Sequence, residues 1–143
     1  MFKRINRKWM AVLVVMMMLG VAYAVQTVLT ATALKENNYA VVAGDLALPS
    51  TACDNVNGNA FAATGREILL VNNPDAAPHT FTVTSLADPF GRFDTSLTGY
   101  SVPATSLAVI YLNTLTGWRQ ANGQILLACN SNLLKFSIIQ VQH

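Results

Sequence analysis

From residue 25 onward, polar and apolar positions alternate in short runs, with Gly, Asn or Pro at nearly every junction. Alternation with a period of two marks strands that bury one face. VQTVLTATAL (25–34) alternates, and Lys35-Glu36-Asn37-Asn38 follows as a turn. YAVVAG (39–44) and DLALPS (45–50) are short strand candidates. CDNVNGNAFAATG (53–65) is rich in Asn and Gly and reads as an irregular loop. REILLVNN (66–73) is a nearly continuous apolar run, the pattern of a central strand. After a turn holding Pro74 and Pro78, HTFTVTSL (79–86) places Phe81 and Val83 on one face and Thr80, Thr82 and Thr84 on the other. Those last two runs predict a hairpin.

ADPFGRFD (87–94) is a second break, and SLTGYSVPA (96–104) is a short, interrupted run. SLAVIYLN (106–113) is another apolar strand. TLTGWRQANG (114–123) is a loop whose Asn122-Gly123 is a tight-turn signal. QILLAC (124–129) and LLKFSIIQV (133–141) predict a closing hairpin across Asn130-Ser131-Asn132. No window of this part holds helical periodicity for three turns. The pattern predicts an all-β chain: a small antiparallel β-sandwich or barrel of about eight strands, forming one domain over residues 25–143.

Residues 1–24 follow a different rule. Lys3, Arg4, Arg7 and Lys8 precede the uncharged run WMAVLVVMMMLGVAYA (9–24), which ends in Ala22-Tyr23-Ala24. A basic start, an apolar stretch and a small-x-small end are the parts of a secretory signal peptide, with cleavage expected after Ala24 and Ala22 and Ala24 read by the peptidase. The alternative is a retained hydrophobic anchor helix, which makes residues 9–24 the membrane contact. Spanning a bilayer takes about 20 apolar residues, so this run is short for that task. A type IV pilin leader needs a glutamate at a set distance after its glycine; Gly20 has none there, and Val25 stands in its place. A lipoprotein needs a cysteine at the cleavage point, and the first cysteine is Cys53. The expected location is outside the cytoplasm: extracellular, at a cell surface, or in a particle.

Removing the leader changes the charge. Four of the nine basic residues lie in it, leaving five basic against seven acidic over residues 25–143. Lys35, Arg66, Arg92, Arg119 and Lys135 are scattered singly, without the basic stripe that a nucleic-acid partner requires. Only 11% of the chain is charged, so the surface is built from Thr, Ser, Asn and Gln. A surface short of like-charge repulsion suits packing against copies of itself. Cys53 and Cys129 are an even pair in an exported chain, which suggests a disulfide; two buried free thiols are the alternative.

Candidate chemistry is sparse. The histidines are His79, at a strand start, and His143, at the end of the chain, and no Gly-x-Ser-x-Gly is present. Asp88 and Asp94 share one loop, where Asp88 before Pro89 fits a turn cap and Asp94 fits a surface pair with Arg92 better than either fits glycosidase work. Asp54, Asn55, Asn57 and Asn59 resemble a calcium loop but lack its terminal glutamate. Two cysteines and two distant histidines form no metal spacing, so no metal and no cofactor is expected. The loop aromatics Trp118, Tyr100, Phe90 and Phe93, with Arg119 beside the tryptophan, either stack on sugar rings or plug the open ends of a small sandwich.

Four motifs occur in order: Asn57-Gly58-Asn59, Gly65-Arg66, Asp88-Pro89-Phe90-Gly91-Arg92 and Gly117-Trp118-Arg119-Gln120. In this order they resemble a group of small phage-associated β proteins over most of residues 27–141. The resemblance implies a virion structural or head-decoration-like role, with assembly rather than catalysis as the activity. The leader and the two cysteines depart from that group and imply a module recruited to a surface, or to the shell of a membrane-containing virus. The expected function is therefore a non-enzymatic structural subunit of an exported or particle-associated homo-oligomer. The alternative is an extracellular carbohydrate- or surface-binding module. The strand 25–34, at the presumed mature terminus, can pair with a neighbouring subunit or within its own domain.

Overall fold

The computed structural model describes residues 25–34, 47–88, 90–92, 97–112 and 116–141. The leader with Ala22 and Ala24, the strand candidate 39–44, Phe93, Asp94 and His143 lie outside them. The described residues are all-β, with ten strands and no helix. The strands are β1 (Thr27–Val28), β2 (Ala31–Ala33), β3 (Thr51–Ala52), β4 (Asn59–Ala62), β5 (Glu67–Asn73), β6 (His79–Val83), β7 (Tyr100–Val102), β8 (Ser106–Leu112), β9 (Gln124–Cys129) and β10 (Lys135–Gln140). They form two facing sheets, ordered β1-β4-β9-β6-β7 and β2-β10-β5-β8, with β3 also paired to β10.

Both sheets are mixed rather than antiparallel. The segment 25–34 crosses from one sheet to the other and pairs parallel in each, β1 with β4 and β2 with β10. It therefore pairs within its own domain. The break at Leu29-Thr30 lets the chain cross, and the buried Leu29 side chain fills the gap between the sheets.

Neither expected hairpin forms. β5 lies in one sheet and β6 in the other, and the same holds for β9 and β10. The reason is competition for edges. β5 is paired on one side to β8 over seven residues and on the other to β10 over six, so no edge remains for β6. β9 is likewise flanked by β4 and β6. Short turns here are corners between layers, and Pro74 and Pro78 suit one of them because neither can donate to a ladder.

The loop expected at 53–65 ends in a strand. β4 hides in it because its first residue, Asn59, is polar yet fully buried. The Asn59 side chain accepts the Asp54 N–H at 2.8 Å, so it closes the preceding turn instead of facing water. Gly58, just before it, has φ +80°, and a Cβ there would lie 2.8 Å from the Leu127 carbonyl oxygen. Only glycine fits both the angle and the contact.

Inward positions from both sheets form one core. Leu69 and Val71 of β5, Phe136 and Ile138 of β10, Phe61 of β4, Phe81 and Val83 of β6, and Ile125 and Leu127 of β9 are buried together. The Phe81 and Phe136 rings meet edge-to-face across the layers, with centroids 6.3 Å apart. Cys53 and Cys129 form the disulfide, with Cα atoms 6.5 Å apart. It ties the loop after β3, on one sheet, to the end of β9 on the other.

Candidate assembly surface

Sequence-predicted site residues fall into two groups, corners and surface. All four motifs are corners. Asp54 organises the first: its carboxylate accepts the N–H groups of Val56 and Asn57, the Asn57 side chain and the Thr27 hydroxyl. The Asn57 N–H groups hold the Asp54 carboxyl below its ordinary value. This carboxylate is thus spent on the turn that a calcium loop would use for metal, and no metal-ligating cluster of three acidic, His or Cys residues occurs among the described residues.

Gly65-Arg66 leads into a buried carboxylate. Glu67 begins β5, points inward and is fully buried. It accepts the Thr64 hydroxyl and the N–H groups of Thr64, Gly65 and Arg66, a nest of donors that Gly65 at φ +89° brings together. Burial alone would raise the Glu67 carboxyl, but the Thr64 hydroxyl and the three backbone donors outweigh it and hold the group below its ordinary value of 4.5. A depressed folded value means that this stabilisation is complete above the ordinary value and disappears as pH falls through the folded one. Glu67→Gln should lose about 2 kcal/mol at neutral pH, because an amide N–H₂ would then face backbone donors. It should also flatten the acid limb of the stability curve below pH 4.5, which urea unfolding at a series of pH values reads directly.

The third motif is a turn closed by Asp88, which accepts the N–H groups of Phe90 and Arg92 and pairs with the Arg92 guanidinium at 2.6 Å. Arg92 finds its partner in Asp88 of its own turn. Its guanidinium also lies 5.2 Å from the centroid of the Phe90 ring, which is exposed. In the fourth motif Gly117 accepts the Leu86 N–H at 2.6 Å, and the Gln120 side chain donates to the Trp118 carbonyl. Trp118 itself is only 7% exposed and belongs to the core. Of the two roles open to it, the indole takes the plug. Arg119 is exposed beside it, and Tyr100 sits on β7 with its ring 5.5 Å from Phe81. Among the described residues, no hydrogen bond or ring contact joins Trp118 or Arg119 to Tyr100 or Phe90. His79 pairs with Asp75 at 2.8 Å across the corner after β5, and this contact holds the Asp75 carboxyl below its ordinary value.

The surface that stands out was carried by strands rather than by motifs. In the sheet β2-β10-β5-β8, apolar residues fill most outward positions as well as most inward ones, with Ser137, Asn72 and Lys135 the polar residues on the outward side of β10 and β5. Outward residues of neighbouring strands stand side by side: Ile139, Ile68 and Tyr111 in one row, Leu70 beside Val109 in the next, and Leu107 beside Asn72 in the third. Leu107, Val109 and Tyr111 are 56%, 60% and 54% exposed. Lys135 is the one charged residue on these rows, at their corner. The outer face of the other sheet carries Leu126 and Val28 among Thr80, Thr82, Ser101, Ala62 and Ala128. Strands apolar on both faces are the pattern of a sheet covered on both sides. The signal was present in the near-continuous runs 66–73 and 106–113, which alternate too weakly for a sheet with one wet face.

No family model matches the chain, and neither the curated proteins nor the solved structures contain a match to it. The likeness to phage-associated β proteins therefore rests on the four motifs, each of which here builds a corner.

Proposed function

We propose that this chain is a non-enzymatic structural subunit that works by packing against copies of itself outside the cytoplasm, as part of a surface fibre, a sheath or a virion shell. The observation that carries the reading is the apolar face of Leu107, Val109, Tyr111, Leu70, Ile68 and Ile139, which carries a single charge, Lys135, at its corner. A contiguous apolar patch of this kind marks a contact surface. The Cys53–Cys129 disulfide suits an oxidising compartment, in line with the leader. The polar corners are engaged in holding the fold, which leaves the face as the surface with unmet packing. The glycan-binding alternative loses its main anchor, since a buried Trp118 offers no ring face to a sugar.

Sedimentation of the native protein tests the proposal. The expected result is multimers that Leu70→Lys, on the apolar face, reduces to species no larger than a dimer, while Ala128→Lys, on the outer side of the other sheet, leaves them intact. Unfolding curves show that each variant is folded. A monomeric native protein at high concentration would overturn it.

A further inference from the structure

The four sheet edges are unequal. β1 has two residues, β7 has three and is followed by Pro103, and the β10 edge is covered by the short β2 and β3. β8 has seven residues and, among the described residues, is paired on one side only, to β5. Exposed edges are ordinarily guarded by brevity, proline, charge or a bulge. SLAVIYL contains neither charge nor proline, and its ladder to β5 runs unbroken from Ser106 to Leu112. A long, straight, neutral edge is a template for another strand.

Resting on the assembly reading above, we infer that two copies join through their β8 edges, antiparallel about a two-fold axis at Val109. That register is the one that pairs all seven residues. It sets Val109 against its own copy and Leu107 against Tyr111 of the other chain, on the apolar side of the sheet, while Ala108 faces Ile110 on the inner side. Residues directly opposite in an antiparallel pair share a face, so the two apolar faces become continuous. No like charges meet anywhere along the pair. The sheet β2-β10-β5-β8, with β3 beside β10, becomes half of a ten-stranded sheet.

Area explains why the edge comes first. One copy offers on the order of 400 Å² of outward apolar surface, about half of the roughly 800 Å² per partner that a stable interface buries. A β8-joined pair offers about twice that on one continuous face. The pair, rather than the single chain, is the unit able to stack lastingly on another. Edge pairing followed by stacking gives growth beyond a dimer.

Single cysteines on β8 read the register. Across the two-fold axis, the Cα atoms of opposed residues are about 4.5–5.5 Å apart, within disulfide range. Leu107 and its own copy are offset by four residues along the strand, roughly 13 Å, which is out of range. Under mild oxidation of the full chain, Val109→Cys should form a covalent dimer, about tenfold more than either Leu107→Cys or Tyr111→Cys. The Leu107→Cys/Tyr111→Cys double variant should restore crosslinking. Non-reducing electrophoresis measures all four, and unfolding curves confirm that each is folded. If Val109→Cys stays monomeric, or crosslinks no better than Leu107→Cys, while the native protein still sediments as multimers, the β8 pairing is wrong and the assembly reading stands. If the native protein is itself monomeric, both fail.

Discussion

Asn73→Leu is expected to destabilise the fold by about 2–4 kcal/mol, because it strands the buried Val102 carbonyl and takes the partner from two part-buried ones, those of Ala77 and Pro103. Asn73 ends β5, points inward and is fully buried. Its side-chain amide donates to the carbonyls of Ala77 at 2.8 Å, Val102 at 3.1 Å and Pro103 at 3.0 Å, and its oxygen accepts the Asp75 N–H at 3.1 Å. One side chain thus fastens two crossings between the sheets, β5 to β6 and β7 to β8. Leucine has similar volume, so the loss isolates the polar contacts from packing. Asn73→Asp should be at least as damaging, since a carboxylate would face three carbonyl oxygens. Urea unfolding checks both. If Asp is tolerated better than Leu, the amide donors do not carry the corner.

Removing the disulfide should lower the thermal midpoint by about 10–15 °C, from a loss of roughly 3–4 kcal/mol. Cys53 and Cys129 are 76 residues apart in sequence, and a bridge across so long a loop removes much freedom from the unfolded chain. The bridge also joins the two sheets. Next to it the Cys53 N–H donates to the Leu134 carbonyl at 2.8 Å, and Asn130 exchanges hydrogen bonds with Thr80. Cys53→Ser/Cys129→Ser should unfold at lower temperature but to the same native spectrum, as calorimetry and circular dichroism would show. An unchanged midpoint would mean that those backbone contacts alone fix the corner.

Much of the strand content was legible in the sequence, and the pairing was not. The runs 66–73, 106–113, 124–129 and 133–141 became β5, β8, β9 and β10 because apolar residues in strands must be buried. Period-two patterning reports that a strand has a buried face but not which strand lies beside it. The corner after β5 looks like a hairpin turn in sequence; that Asn73 points inward and ties two crossings depends on Val102 and Pro103, some thirty residues away. β4 was hidden for a similar reason. Its buried Asn59 looks like a loop residue until its partner at Asp54 is known. The cysteine pair was legible from parity and from the signal-like start of the chain. The corner motifs are conspicuous because Gly, Asp and Asn are needed for turns, whereas the signal of the face is plainer: two strands that carry large apolar residues on their outward side, Ile68 and Leu70 of β5 and Leu107, Val109 and Tyr111 of β8.

The proposed self-association runs through the sheet that ends in β8. Sedimentation velocity of the native protein over a dilution series from high to low micromolar concentration tests it most directly. The predicted result is a boundary that moves faster as concentration rises, with species larger than a dimer at the upper end for the native protein and none larger than a dimer for Leu70→Lys. A single monomer boundary at every concentration of the native protein would contradict it.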